Sequence, residues 1–274
     1  MGAISAFSTA AGTLKRNGVL VVAAFVALLV NALPSGVVAL LPASVGPFVS
    51  LPVSGLVLLA VPFLLGGLLS MAAEGLDGVT RLGTFVEGGK EYYLSILGAL
   101  LLFAVVMTAI TTIFVIGIAV VGVFVLGMGT SGLGGSVASP GAGIAAFALV
   151  GLLVGLGTML PLFFLQFYAP AIVVSDLGVV ASFKRSAGLV RRNFVSTLGY
   201  TALTMLVGLV AGVAGIFVTI LGGLGGSLSA TPSEFGVGMV ALGGVLSLVV
   251  SAVVSAFGTT YQVAFYADCL DSLE

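Results

Sequence analysis

The sequence predicts an all-α integral membrane protein with six transmembrane helices. Only 6% of its 274 residues are charged and 60% are hydrophobic, whereas about 25% of residues are charged in soluble domains. Runs such as GVLVVAAFVALLV, residues 18–30, are apolar at every position, which indicates helices and not the alternating strands of a membrane barrel. Long charge-free regions separate the charged segments, and each of the first two is long enough for two crossings.

The first charge-free region lies between Arg16 and Glu74. It predicts two helices joined by a turn, because a helix needs about 20 residues to cross the hydrocarbon layer. We expect these helices at 18–41 and 52–73. The turn is indicated by four residues that disfavour a continuous helix: Pro42, Gly46, Pro47 and Pro52.

The rest of the chain predicts four more membrane helices. Residues 92–175 hold two of them, at 94–126 and 143–174, separated by the glycine-rich segment GMGTSGLGGSVASPGAG. A second segment rich in glycine and serine separates the last two helices, which we expect at 195–221 and 237–266.

Two shorter segments near the N-terminus are more polar than the membrane helices. Residues 1–17 predict an interfacial helix. In the connection 74–93, Thr84 is followed three residues later by Glu87. This is the spacing of a capping box, and it predicts that a new helix starts there.

The segment 170–200 contains half of the basic residues of the chain. Read as a helix from about Val179 and capped by Asp176, it has a basic side and an apolar side, which is typical of an amphipathic helix at the cytoplasmic surface of a membrane. Either its charges only set the topology and make generic lipid contact, or they form a specific site for an anionic lipid or a protein partner. The basic side carries Lys184, Arg185, Gly188, Arg191 and Arg192. The apolar side carries Phe183, Ala187, Val190 and Phe194.

The distribution of charge predicts the orientation of the helices. With six crossings, all eight Lys and Arg residues fall on one side, and Glu234 is the single charged residue of the opposite loops. The positive-inside rule then predicts a multi-pass protein of the plasma membrane with both termini in the cytoplasm. Cys269 is expected on the cytoplasmic side as well.

We expect residues 1–274 to form a single membrane domain with three consecutive segments. Residues 1–93 contain helices one and two and the first cytoplasmic connection. Residues 94–194 contain helices three and four and the basic helix, and residues 195–274 contain helices five and six and an acidic tail.

A weak internal similarity indicates a 3+3 parallel pseudo-repeat. The stretch YLSILG at 93–98 matches FVSTLG at 194–199, and each stretch enters a membrane helix from the same side. Parallel repeats of this kind are related by an axis along the membrane normal. Chance similarity between two apolar sequences is the alternative.

The predicted membrane helices contain few polar residues. Gln166 lies between Pro161 and Pro170 and forms either an intramembrane polar site or an interhelical hydrogen bond. The sixth helix has a ladder of small polar residues at four-residue spacing, which either lines a polar path or allows close packing, and packing is favoured. The ladder consists of Ser247, Ser251, Ser255 and Thr259.

The basic segment also carries a family-level motif. The stretch PAIVVSD at 170–176, together with residues 182–186 and 189–191, resembles the membrane domain attached to glycerophosphodiester phosphodiesterases. It is similar as well to stand-alone membrane proteins of bacteria and archaea, and the composition resembles that of membrane proteins of salt-loving archaea. The phosphodiesterase's soluble catalytic domain has no counterpart in this sequence. The resemblance therefore implies a membrane fold and no enzymatic activity.

No residues predict catalysis, a cofactor or a metal site. The chain has no His and one Cys, and its nine acidic residues are scattered, whereas acid–base chemistry requires paired titratable groups. We therefore expect a non-enzymatic, lipid-interacting or scaffolding subunit of a membrane assembly. The alternative is a transporter or channel for a small neutral or lipidic substrate. The expected partners are membrane lipids and a membrane protein or a second copy of the chain, with no nucleic acid.

Overall fold

The computed structural model describes the backbone of residues 2–39, 41–42, 44–130, 140–227 and 234–271. This part of the chain contains ten α-helices and no strand, which confirms the all-α prediction. In chain order the helices are α1 (Ala3–Arg16), α2 (Val19–Ala39), α3 (Gly46–Asp77), α4 (Leu82–Glu91), α5 (Tyr93–Thr130), α6 (Pro140–Leu165), α7 (Tyr168–Ser175), α8 (Val179–Arg192), α9 (Phe194–Ser227) and α10 (Glu234–Asp271).

Six segments of the described chain are long and apolar enough to cross a membrane, which confirms the predicted number. They expose large apolar side chains: Leu58, Leu101 and Leu209 are 65%, 58% and 64% exposed. Continuous apolar surface of this kind is rare on soluble monomers, whereas it is compatible with lipid hydrocarbon. The segments are Val19–Val38, Gly46–Asp77, Tyr93–Val120, Gly151–Ser175, Phe194–Val213 and Gly243–Leu270.

The second membrane helix begins earlier than the sequence predicted. α3 starts at Gly46, so Pro52 lies inside the helix and not in the preceding turn. Pro47 occupies the first turn of α3. Its missing N–H costs no helical hydrogen bond there, because the first N–H groups of a helix have no partner within it.

The predicted helix at 143–174 is two helices in the structure, α6 and α7, with a break at Gln166 and Phe167. Pro170 accounts for the break, because it has no N–H to donate to the carbonyl four residues earlier. The N–H of Phe167 is buried and donates to Ser186 Oγ of α8 at 3.1 Å. The backbone group that the break leaves without a helical partner is therefore satisfied by another helix.

The chain divides into two compact units, one comprising Met1–Leu97 and Phe167–Glu274 and the other comprising Gly98–Gln166. In the second unit, Phe114 of α5 packs directly against Gly157 of α6, where a Cβ atom would meet the ring. In the first unit, α2, α3, α4 and α10 share an apolar cluster. Its buried members are Leu20, Ala23, Ala24, Ala27, Leu64, Leu68, Met71, Phe85 and Ala256.

The N-terminal helix α1 packs along α10. The buried hydroxyl of Tyr261 donates to the carbonyl oxygen of Ala3 at 3.0 Å, and Ser5 Oγ donates to the Asp268 carboxylate at 2.8 Å. Within the first unit, ring contacts extend from α1 to α9 and α10, with centroid separations between 4.7 and 6.0 Å. The rings belong to Phe7, Phe257, Tyr261, Tyr200, Phe265 and Phe167.

The prediction of a capping box at the start of α4 is wrong. The helix follows Arg81, and no side chain forms a hydrogen bond to cap it. Thr84 Oγ1 donates to the Glu74 carboxylate at 2.5 Å, and Thr80 Oγ1 donates to the same oxygen at 2.6 Å. Hydrogen bonds to an ionised carboxylate are stronger than those to neutral acceptors, so Glu74 holds both threonines.

Candidate functional site

The basic helix α8 follows a short break after α7. Its N-terminal cap is Gly178, so the prediction that Asp176 caps this helix is wrong. Asp176 lies at the C-terminal end of α7 in the left-handed conformation, with φ 48° and ψ 44°. Burial raises the pKa of the Tyr92 phenol, and the charges of Glu91 and Asp176 raise that pKa further. The Asp176 carboxylate is therefore close enough to the end of α4 to influence the Tyr92 phenol.

The buried side of α8 combines two serines with two larger apolar residues. Ser182 and Ser186 are fully buried, as are Leu189 and Val190. Phe194, expected on the apolar side, is 46% exposed. The buried side is thus rotated towards the serines, because Ser186 accepts the Phe167 N–H and small side chains allow the helix to approach closely.

The opposite side of α8 carries a groove. All four basic residues of the helix are exposed. Three of them line a groove of about 170 Å³, together with a glycine and a leucine. We call it the Gly188 groove; its lining residues are Lys184, Arg185, Gly188, Leu189 and Arg192.

The arrangement of the Gly188 groove follows from helix geometry. Lys184 and Arg192 stand one turn before and one turn after Gly188, so they share its face of the helix. A Cβ atom at Gly188 would have no other atom within 4 Å, so packing does not require glycine there. Because glycine has no side chain, it leaves room between the cations, and none of the described residues that line the groove is acidic. Such a site favours an anion.

The other predicted site residues lie elsewhere. Gln166 is half-buried at the end of the second unit, and Ser251 is exposed on α10. Thr259 Oγ1 donates to the carbonyl of Ser255 at 2.9 Å within the same helix. The roles predicted for Gln166 and for the ladder stay predictions. The fully buried stripe of α10 is one position further along the helix, at Ala252, Ala256, Thr260 and Ala264.

Sequence reasoning missed the structural role of Arg16. It counted this residue only as a surface charge, whereas the guanidinium donates to the carbonyls of Gly75 and Leu76 at 3.3 Å each. These carbonyls lie at the C-terminal end of α3, where backbone acceptors lack helical partners and a cation is favourable. The pair Arg-Asn that ends both α1 and α8 is the signal that could have identified a helix-end role.

Six apolar spanning segments define a multi-pass α-helical membrane protein. Within the described residues, no group of three or more His, Cys, Asp or Glu side chains could hold a metal ion. The chain belongs to the family described as domain of unknown function (DUF7847), which matches residues 1–269. No curated protein matches it, and no solved structure does. The resemblance to the membrane domain of phosphodiesterases is not supported by these comparisons and stays a prediction.

Proposed function

We propose that this protein is a non-enzymatic, lipid-interacting subunit of a membrane assembly, and that α8 binds anionic lipid headgroups. The observation that carries this proposal is the Gly188 groove, which brings three exposed cations together beside a membrane helix. A Lys or Arg near an anionic membrane surface contributes about 1 kcal/mol to binding. Three cations around one groove therefore favour one bound headgroup over scattered contacts.

The contacts and positions of the basic residues outside α8 support the assignment of the lipid site to α8. Arg16 is occupied by the carbonyls at the end of α3. Lys15, Arg81 and Lys90 are exposed, but they stand on α1 and at the two ends of α4. They provide a matched set of three cations outside the groove.

Native mass spectrometry of the gently solubilised protein tests this proposal. The variant with Lys184→Gln, Arg185→Gln and Arg192→Gln should retain fewer phosphatidylglycerol molecules than the wild type, with retention of phosphatidylcholine unchanged. The control variant carries Lys15→Gln, Arg81→Gln and Lys90→Gln and removes the same charge. Equal loss in the two variants would mean that only total charge matters, and the proposed role of α8 would be wrong.

The orientation belongs to the same proposal. We place both termini and α8 on the cytoplasmic side of the plasma membrane, because the positive-inside rule assigns basic segments to that side and its leaflet is the anionic one. The 3+3 parallel repeat, with its two matching stretches at 93–98 and 194–199, is proposed on the sequence similarity described above. Each stretch directly follows a short helix, α4 or α8.

Transport of a small neutral or lipidic substrate is the second proposal. It is favoured by the helix break at Gln166 and Phe167, because interrupted membrane helices form the binding sites of many transporters. The lipid-binding proposal is preferred because Ser186 already satisfies the freed N–H. Swelling of proteoliposomes in glycerol or urea tests transport. Swelling no faster than that of empty liposomes would exclude these solutes, and swelling abolished by Gln166→Leu would favour a channel.

A further inference from the structure

Two surface helices of the first unit, α1 and α8, share one scaffold. Each has 14 residues. Their sequences match as F-x-x-[AS]-A-G-x-[LV]-[KR]-R-N, from Phe7 to Asn17 in α1 and from Phe183 to Asn193 in α8. Most of the matched positions have the same burial: Ala10 and Ser186, for example, are both 0% exposed.

The two helices also end in the same way. Asn17 follows α1 and Asn193 follows α8, with φ of −119° and −115°. The Asn17 N–H donates to the Thr13 carbonyl at 2.9 Å, and the Asn193 N–H donates to the Leu189 carbonyl at 2.9 Å. Each asparagine amide also donates to that same carbonyl, at 3.2 and 3.4 Å. The backbone geometry and the capping bond at the C-terminal end therefore do not distinguish α1 from α8.

The exposed sides of the two helices differ in charge. Lys184 and Arg185 of α8 occupy the positions of Ser8 and Thr9 in α1. α1 is therefore helical with neutral residues at these positions, and the basic pair of α8 is not needed to form a helix on this scaffold.

We propose that the Gly188 groove binds a phosphate group, carried by a lipid headgroup or free in solution. This inference rests on the proposed binding of anionic lipids by α8. Lys184 and Arg185 approach the groove from one turn before the glycine, and Arg192 leans back over it, because helical side chains tilt towards the N-terminus. The guanidinium fork of arginine matches the geometry of phosphate oxygens.

The space in the groove fits this ligand. Its volume of about 170 Å³ is roughly six times the volume that one water molecule occupies in the liquid, so a phosphate and the first atoms of a glycerol fit. Leu189 is the apolar member of the lining. It is only 1% exposed, so the three cations and Gly188 form most of the surface that a ligand would meet.

Filling the groove without changing its charge tests the inference. Native mass spectrometry compares retention of phosphatidic acid with retention of oleate, an anionic lipid that lacks phosphate. Gly188→Leu should lose retention of phosphatidic acid roughly fivefold, about the effect of one lost cation. Gly12→Leu changes the equivalent glycine of α1, which also has no atom within 4 Å of a Cβ, and should behave as the wild type.

A second variant leaves Gly188 unchanged, so its result does not depend on whether Gly188→Leu folds correctly. Lys184→Ser with Arg185→Thr installs the residues that α1 carries on the same scaffold, and it should lose the preference for phosphatidic acid over oleate.

Added inorganic phosphate separates the two sources of the phosphate group. Displacement of phosphatidic acid identifies soluble phosphate as a ligand, and lack of displacement assigns the groove to headgroups. Wild-type retention by Gly188→Leu, or equal retention of oleate by the wild type, would overturn the inference. If only the three-glutamine variant of α8 loses phosphatidylglycerol, the lipid-binding proposal stands without a phosphate groove.

Discussion

The backbone N–H of Thr80 donates a 3.0 Å hydrogen bond to Asn17 Oδ1, and the two residues are 63 positions apart in the chain. The amide of Asn17 donates in the opposite direction, to the carbonyls of Gly75 at 3.3 Å and Gly78 at 3.1 Å. One buried side chain therefore joins the end of α1 to the end of α3 and to the connection that follows it.

Replacing Asn17 should destabilise the first unit. Asn17→Ala removes the partner of the buried Thr80 N–H, whereas the Gly75 carbonyl keeps its bond from Arg16. Because a buried group left unsatisfied costs about 1–3 kcal/mol, we expect a loss of about 2 kcal/mol in the free energy of unfolding. Thermal unfolding in detergent, followed by far-ultraviolet circular dichroism, measures it.

The matched control for this prediction is Asn193→Ala at the end of α8. Its amide is only part-buried and donates to the Leu189 carbonyl at 3.4 Å, so the expected loss is about 1 kcal/mol or less. If both variants unfold at the same temperature, the link between Asn17 and Thr80 contributes nothing to stability.

The close approach of α3 and α4 should require glycine at position 67. A Cβ atom there would meet the backbone oxygen and the ring of Phe85, so Gly67→Ala must push α4 away. We expect a loss of about 1–3 kcal/mol, as for other overpacked sites. Gly55→Ala on the same helix has no atom within 4 Å of the new Cβ and should be neutral or slightly stabilising, since alanine favours helix. Equal unfolding temperatures for the two alanine variants would contradict the close approach.

The left-handed backbone conformation of Asp176 predicts how substitutions at this position change stability. This conformation costs an L-residue about 1–2 kcal/mol, and glycine adopts it readily at the end of a helix. Asp176→Gly should therefore be neutral or stabilising by about 1 kcal/mol, whereas the β-branched Asp176→Val should destabilise the protein by a similar amount. Circular dichroism during heating compares the two. If the glycine variant is as unstable as the valine variant, the carboxylate and not the backbone determines stability here.

The topology can be tested with cysteines placed at exposed positions. Cys269 is only 5% exposed, so its failure to react with a thiol reagent would not report on the side of the membrane. In a Cys269→Ser background, an impermeant maleimide should label Ser44→Cys from outside intact cells. Thr9→Cys should be labelled only after permeabilisation. Ser44 and Thr9 are both exposed, so accessibility is matched, and the reversed labelling pattern would invert the proposed orientation.

The basic helix α8 shows which features of the structure could be predicted from the sequence and which could not. Its start near Val179 and its four exposed cations agree with the prediction. Its buried side agrees only in part: Val190 is buried as predicted, whereas Ser182 and Ser186 pack in place of Phe183 and Phe194. The pattern in the sequence contains no information about the Phe167 N–H that Ser186 accepts.

Composition and charge by themselves determined the membrane class and the six spans, because hydrophobicity and length are local properties that do not depend on which helix lies beside which. Contacts between distant segments determined the rest. Arg16 became a ligand of the carbonyls that end α3, and Thr84 bound Glu74 instead of capping its own helix. Polar groups take the best acceptor within reach, and only the tertiary structure determines which acceptors those are.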